Sequence, residues 1–306
     1  METMRKYWKE AGALTGVLLL TCAVAAGQGS QSGTQSGQQG QQSQQGQQGQ
    51  AQQGQPAQPQ QPADKNTLSL DTPAPPVNPE EDAAYKAFDA VPMTDADKKI
   101  KAGEDFLAKY PTSRYLPPVY SMMVKLYLGT NQVEKMQDVG EKEVALTPND
   151  VQTLAILGQT LPRAWRSNMP NAQQQLDKAE KYSKSAIELT PTLPKPDGMA
   201  DAQFTLAKNQ TLAMAHSGLG LVYFRRGKYD DCIPEFEEAT KIDPSPEIDP
   251  VNYYLLGMAD VKTSHFDGAV AAFTKCSSVP GGLQDTCKGK IDEAKKLGAT
   301  QLSAPK

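Results

Sequence analysis

The sequence predicts an all-α fold in which pairs of helices stack side by side into an array. Three observations predict it. Small and aromatic residues recur at fixed offsets between residues 213 and 280, prolines follow the ends of these units, and apolar residues fall on helical faces. We expect about five helix pairs and a capping helix within residues 81–298. Two N-terminal segments that are not part of the array, residues 1–26 and 27–80, precede it, and a short tail, 299–306, follows.

Residues 1–26 are predicted to be a secretory signal peptide. Three basic side chains among the first ten residues precede an uncharged, mostly apolar run from Ala11 to Ala26. This run of about 16 residues is shorter than the ~20 of a membrane-spanning helix, so cleavage is expected near its end, with an uncleaved membrane anchor as the alternative. A lipid anchor on Cys22 is disfavoured because Thr21 precedes it, where a bacterial lipoprotein signal has Gly, Ala or Ser. The protein is therefore expected to be periplasmic or secreted.

Residues 27–80 are expected to form a disordered Gln/Gly/Pro-rich linker. Between Gly27 and Ala63 there is no charged residue and 18 of the 37 positions are Gln, so little apolar surface offsets the entropy of ordering. The segment is interpreted either as a spacer that holds the folded part away from a membrane or wall, or as a tolerated low-complexity tail. Gln-rich tracts can also self-associate.

The charge balance of the remaining chain limits the classes of partner. From Lys65 onward there are 28 basic and 32 acidic residues. This mild acidity argues against nucleic acid and against anionic membranes, because both would require a basic face. Membrane contact is expected only through an uncleaved N-terminal anchor.

The clearest repeat begins near Ala213 and ends at Pro244, with a turn at Gly227 and Tyr229. Small residues are expected to let its two helices approach closely, while rings fill the space between them. A second copy follows, in which Gly257 stands 37 residues after Gly220. The packing residues predicted for the two copies are Gly220, Tyr223, Cys232, Phe236 and Ala239, then Gly257, Ala269 and Phe273. Asp260 stands where the first copy has Tyr223, and a carboxyl group cannot fill an apolar groove as a ring does.

These two units resemble the tetratricopeptide repeat, whose period is about 34 residues. The string from Phe106 to Ser113 looks like the repeats of bacterial envelope proteins. The resemblance implies a right-handed superhelical array that binds a protein or peptide segment along a concave face lined by the first helix of each unit.

Weaker copies precede the two good ones, with Gly158, Ala179 and Ala186 as the packing residues of the third unit. The prolines that close the units stand at 111, 148, 191, 244 and 280, so two spacings, of 43 and 53 residues, exceed the period. One insertion is therefore placed between Gly158 and Ala179, and another from Thr192 to about Leu212. The second is expected to prolong the next helix backward, with Met199, Ala202 and Leu206 on its inner face.

The last helix, from Leu283 to Leu297, is predicted to cap the array, with Cys287, Ile291, Ala294 and Leu297 on its buried face. Export would leave three cysteines in an oxidising compartment. We interpret Cys232 as a packing residue and Cys276 with Cys287 as a possible disulfide between the array and its cap, which the sequence alone leaves open.

No pattern of residues indicates catalysis. His216 and His265 have no metal-ligating side chain at a suitable spacing, and no phosphate-binding loop, nucleophile elbow or paired-carboxylate motif occurs in the sequence. We expect a protein that is not an enzyme and has no cofactor, metal or small-molecule substrate.

The resemblance directs attention to one face of the first helices in the two good units. The residues expected to bind a partner there are Met214, Ser217, Leu221, Phe224, Arg225, Tyr254, Met258 and Lys262. Members that bind chaperones carry a Lys/Asn clamp for a terminal carboxylate, and this chain lacks it at the matching places, so an extended or helical apolar segment fits better. Alternatively, these side chains pack against the insertion or a neighbouring unit.

The predicted function is a scaffold for protein–protein interaction in the bacterial periplasm or envelope. The alternative is a structural or self-associating envelope protein tethered through its Gln/Gly-rich segment.

Overall fold

The computed structural model describes residues 78–243 and 249–303. Within these ranges it contains eleven α-helices, a short 3-10 turn at Thr190–Thr192, and no β-strand. The all-α fold class is confirmed. The segments predicted to be a signal peptide and a linker, up to residue 77, lie outside the described residues, and so does Pro244.

Consecutive helices pair into five units, and a final helix follows the fifth. Units 1 to 5 comprise α1–α2, α3–α4, α5–α6, α7–α8 and α9–α10. The helices are α1 (Pro79–Ala90), α2 (Ala96–Lys109), α3 (Leu116–Gly129), α4 (Val133–Leu146), α5 (Val151–Ala164), α6 (Ala172–Leu189), α7 (Asp201–Arg225), α8 (Tyr229–Ile242), α9 (Pro250–Lys262), α10 (Phe266–Ser277) and α11 (Gln284–Ser303). None of these helices has both the length and the apolar character to cross a membrane.

Three of the units begin with a polar side chain that caps the first helix. Asn78, Asp150 and Asp249 each accept hydrogen bonds from backbone N–H groups in the first turn of the helix that follows. Such caps satisfy donors that have no partner within the helix. Pro79 and Pro250 occupy the first helical position, where the missing N–H costs nothing.

The turn between the two helices is the same in units 2, 4 and 5. Its central residue has a positive φ: 57° at Asn131, 73° at Gly227 and 64° at Ser264. The next N–H closes each turn by donating to a carbonyl five residues earlier; the bonds are Gln132 to Tyr127, Lys228 to Tyr223 and His265 to Asp260, at 2.8, 2.9 and 2.8 Å. Asp260 is therefore the structural counterpart of two tyrosines.

Units 4 and 5 share a core in which a ring lies against a glycine. A Cβ atom added to Gly220 would be 3.0 Å from the Phe236 ring, and one added to Gly257 would be 2.8 Å from the Phe273 ring. The structure buries ten of the eleven residues assigned to packing. The exception is Tyr223, which is half-buried and has Lys184 and Lys228 each 5.9 Å from its ring centroid.

The expected long helix in the second insertion is present as α7, which has 25 residues. Of the three residues placed on its apolar face, Met199 is buried, but the placement of the other two was wrong, because Ala202 is exposed and Leu206 is 40% exposed. Ala207 and Thr211 are buried instead. The added turns of α7 lie beside the end of α6, where Lys208 donates to the Pro191 carbonyl at 2.9 Å.

The last helix lies on α10, as expected of a cap. Cys287 and Ala294 are fully buried and Ile291 is half-buried, but Leu297 is 39% exposed, so its placement on the buried face was wrong. Gly298 faces the array in its place, since a Cβ there would be 3.3 Å from the Cβ of Phe266. The helix also continues past residue 298 to Ser303.

Candidate partner-binding surface

The first helices of units 3, 4 and 5 are joined where a groove was expected. Ser217 on α7 is 2% exposed, and its Oγ donates to Oδ1 of Asn252 on α9 at 2.7 Å. The same hydroxyl accepts from Nε2 of Gln159 on α5 at 3.3 Å. A chain of hydrogen bonds therefore links α5, α7 and α9, which we call the closed face.

Backbone contact makes this approach possible. A Cβ added to Gly218 would be 2.5 Å from the carbonyl oxygen of Gly158, so α7 and α5 touch through their main chains. Leu221, one turn further along α7, is 4% exposed and packs with Phe236 and Leu256. The prediction that Ser217 and Leu221 line an open groove is therefore wrong, because neighbouring first helices cover both.

The four half-buried residues of the predicted face pack within the array. Met214 lies against the apolar clusters of units 2 and 3, while Phe224 belongs to the cluster shared by α7, α8 and α9. Tyr254 and Met258 belong to the cluster beneath α11, and the Tyr254 ring centroid is 6.1 Å from that of Phe273. Met214 and Phe224 match the alternative that such side chains contact a neighbouring unit, whereas Tyr254 and Met258 pack within their own unit and against α11.

Arg225 is exposed beside the first insertion. Its guanidinium carbon is 5.7 Å from the centroid of the Trp165 ring, and its Nε donates to the Pro162 carbonyl at 3.4 Å. Nearby, Arg163 reaches the carboxylate of Asp249 at 3.3 Å, which ties the end of α5 to the cap of α9. The insertion therefore borders the closed face.

Lys262, the other exposed cation, lines a shallow groove formed by the turn of unit 4 and the end of α9. We call it the turn groove; its lining residues are Gly227, Lys228, Tyr229, Asp230, Asp231, Lys262 and Thr263. The ring of Tyr229 meets that of Phe224 edge to face, with centroids 5.5 Å apart. The groove thus combines an aromatic wall with two cations and two carboxylates.

A buried carboxyl group stands behind this groove. Asp260 is 5% exposed, and a Cβ added to Gly268 would be 3.0 Å from its Oδ2. Burial raises the pKa of Asp260 to about 6, although the nearby His265 acts to lower that pKa. Gly268 on the facing helix leaves room for this carboxyl group. The sequence analysis considered Asp260 without this glycine and so did not predict how the carboxyl group is accommodated.

Among the described residues, no group of three His, Cys, Asp or Glu side chains is arranged to hold a metal ion. His216 instead pairs through Nδ1 with Oε2 of Glu235 on the companion helix at 2.7 Å. His265 is exposed, with its Nδ1 3.2 Å from Oγ1 of Thr263. His216 therefore lies between two helices, whereas His265 lies in the turn that precedes α10.

The cysteines in the described ranges have two different environments. Cys232 is a free, fully buried thiol whose pKa burial raises to about 12, so it fits a packing role and not a nucleophilic one. Cys276 and Cys287 are bonded to each other. This disulfide joins the end of α10 to the first turn of α11.

The sequence model of the tetratricopeptide repeat matches residues 213–246, which span the second half of α7 and all of α8. Residues 213–246 therefore form a tetratricopeptide repeat. The matched tetratricopeptide unit is the one whose turn lines the groove.

Several solved structures are similar in fold. TTC0263, a thermophilic tetratricopeptide repeat protein of Thermus thermophilus, is 17% identical with a TM-score of 0.42, and the match covers 70% of this chain and 96% of that one. The type IV pilus biogenesis factor PilW is 13% identical with a TM-score of 0.48, and the match covers 73% of this chain and 91% of that one. MamA is 20% identical with a TM-score of 0.44, and the match covers 74% of this chain and 97% of that one. No curated protein matches the sequence.

Proposed function

We propose that this tetratricopeptide repeat protein is a non-enzymatic scaffold of the bacterial periplasm or envelope that binds a segment of a partner protein at the turn groove. The observation that carries the proposal is the contrast between two neighbouring surfaces. Packing buries Ser217 and Leu221 on the closed face, whereas Lys262 and the turn of unit 4 leave an aromatic and charged groove in contact with solvent. Tetratricopeptide units typically act as scaffolds for protein partners.

The groove favours a protein segment that carries both charge and apolar side chains. Lys228 and Lys262 can pair with carboxylates, Asp230 and Asp231 can pair with cations, and the Tyr229 ring offers amphipathic contact area. Aromatic residues and exposed charges of this kind are common where proteins recognise each other.

The proposed location rests on the N-terminal sequence and is supported by the disulfide. Residues 1–26 have the layout of a secretory signal. A bond between Cys276 and Cys287 fits an oxidising compartment such as the periplasm.

Site-specific photo-crosslinking in the native cell tests the binding surface. Thr263 lines the turn groove and Thr274 is exposed on α10, and each hydroxyl donates to the carbonyl four residues earlier, so the two positions are matched. A photoreactive residue at Thr263 is expected to capture a discrete polypeptide that the same residue at Thr274 does not. Identical products from both positions would contradict the proposal.

Charge reversal sharpens the same experiment. Lys228→Glu with Lys262→Glu alters the groove, while Lys241→Glu with Lys275→Glu makes the same change in charge on the exposed surfaces of α8 and α10. Capture at Thr263 is expected to fall at least tenfold with the first pair and to persist with the second. Equal loss from both pairs would indicate a non-specific effect of charge.

The alternative, a structural or self-associating protein, rests on the Gln-rich composition of residues 27–63. Deleting Gly27–Ala63 separates the two functions. Unchanged capture at Thr263 supports the groove, whereas loss of capture shows that the tract is the binding element.

A further inference from the structure

We propose that α11 is a lid held over the last groove of the array by a disulfide that reduction opens. The lid covers one apolar cluster. Cys287, Ile291 and Ala294 of α11 pack there with Phe273 of α10 and with the cluster's members on α9. The α9 members are Tyr253, Tyr254, Met258 and Val261. Release of α11 would therefore expose an aromatic and aliphatic face that is now covered.

Over residues 284–300, the part of α11 whose side chains the structure describes, few apolar side chains are buried against the array. Two of its fully buried side chains, Cys287 and Ala294, are small, and its larger Ile291 is only half-buried. Leu297, which could have strengthened the contact, is 39% exposed. The disulfide adds a covalent link to this apolar contact, so its loss should weaken the attachment of α11.

The connection between α10 and α11 is suited to act as a hinge. Pro280 has no N–H, and the exposed Gly281 has a φ of 147° that few other residues adopt. A Cβ added to Gly281 or Gly282 would meet no atom within 4 Å, so both glycines border open space. Once the disulfide is broken, the backbone at the two glycines can change conformation, and Leu283 can leave the cluster together with α11.

The chemical step is thiol–disulfide exchange with a dithiol reductant. One thiolate of the reductant attacks a sulfur of the Cys276–Cys287 bond and forms a mixed disulfide. That attack releases the other cysteine as a thiolate. The second thiol of the reductant then attacks the reductant's own sulfur in the mixed disulfide and displaces the remaining cysteine, so that the reductant becomes a disulfide and both cysteines, once protonated, become thiols. Both cysteines are fully buried, so exchange must wait for the turn at residues 278–283 to open.

Loss of this crosslink should raise the open population of α11 by about 100-fold, the effect expected when a loop of roughly 11 residues is no longer closed. The other helices hold no part of the disulfide. Unit 4 and the closed face should therefore keep their structure.

Amide hydrogen exchange of the whole protein, with and without a dithiol reductant, tests the lid. Exchange in residues 288–298 is expected to accelerate by about 100-fold on reduction, while the amides of α5 and α7 keep their protection. The variant Cys276→Ser with Cys287→Ser is the control: it should exchange rapidly in α11 whether or not reductant is present. Unchanged protection of α11 in the reduced protein would overturn the proposal.

A second readout separates lid opening from general unfolding. Trypsin should cut the reduced protein within α11, which carries four exposed or half-exposed lysines, before it cuts α5 or α7. These lysines are Lys288, Lys290, Lys295 and Lys296. Simultaneous cleavage throughout the array would show that the disulfide stabilises the whole fold and not a lid.

Discussion

Units 4 and 5 repeat one packing pattern and differ at the position that faces the turn. Both place a phenylalanine ring against a glycine, and both close the turn with a residue of positive φ. Unit 4 has the half-buried Tyr223 at the equivalent position, whereas unit 5 has the buried carboxyl of Asp260. The contact of ring and glycine therefore defines the unit, and the tyrosine position tolerates a polar group where the facing helix supplies Gly268.

The largest expected effect comes from removing the shared ring. Phe236→Ala and Phe273→Ala should each lower the free energy of unfolding by about 4 kcal/mol, because each leaves a cavity in a fully buried site. Unit 4 has neighbours on both sides, so Phe236→Ala should destabilise helices in units 3 to 5, while Phe273→Ala should loosen only α9, α10 and α11. Chemical denaturation measures the loss of unfolding free energy, and hydrogen exchange shows which helices lose protection. If both variants loosened the same helices, this dependence on neighbouring units would be contradicted.

The buried carboxyl group of Asp260 should make the free energy of unfolding of unit 5 depend on pH. The pKa of Asp260 is raised from 3.8 to about 6 in the folded protein, so folding favours its protonated form. Its contribution is therefore fully present below pH 3.8 and is lost as the pH rises through 6, at a cost of up to about 3 kcal/mol. Asp260→Asn should remove this dependence.

A second buried carboxyl group, in another unit, also contributes to the pH dependence of the unfolding free energy. Glu143 is 1% exposed, and burial, followed by the nearby Asp150, raises its pKa to about 8. Because Glu143 titrates in both proteins, the difference in unfolding free energy between wild type and Asp260→Asn isolates Asp260. A difference that stays constant between pH 4 and pH 7 would contradict the assignment.

The smallest expected effect concerns the shared turn. Gly227 has a φ of 73° and Ser264 a φ of 64°, a conformation that costs a residue with a side chain about 1 kcal/mol. Gly227→Ser should therefore lower the unfolding free energy by about 1 kcal/mol, and Ser264→Gly should raise it by a slightly smaller amount. Shifts of the same sign in urea titrations would show that the turns are not equivalent.

The periodic residues made much of this fold predictable. Gly220 and Gly257 stand at matching offsets from their phenylalanines, so the units could be read from local sequence. The turns at Asn131 and Ser264 were harder to predict from the sequence, because neither residue requires a positive φ. Asn is nevertheless enriched in that conformation, and its place after the first helix of unit 2 could have indicated the turn.

The binding face was harder to predict because its burial depends on contacts between units. Ser217 has the spacing of a groove residue, but Gly218 brings α7 onto Gly158 of another unit. Helical periodicity reports one face of one helix and not the distance to a neighbour. The turn groove likewise requires two segments, the turn of unit 4 and the end of α9, that are separate in sequence.

Thiol accessibility tests the central claim, that the face of α5, α7 and α9 is closed while the turn groove is open. Ser217→Cys and Lys262→Cys would each be treated with a maleimide without reductant, and the label located by mass spectrometry. Cys232, which is fully buried, is an internal reference. The account predicts that a thiol at 262 reacts as fast as a free thiol, while one at 217 reacts as slowly as Cys232. Equal, rapid labelling at 217 and 262 would contradict it.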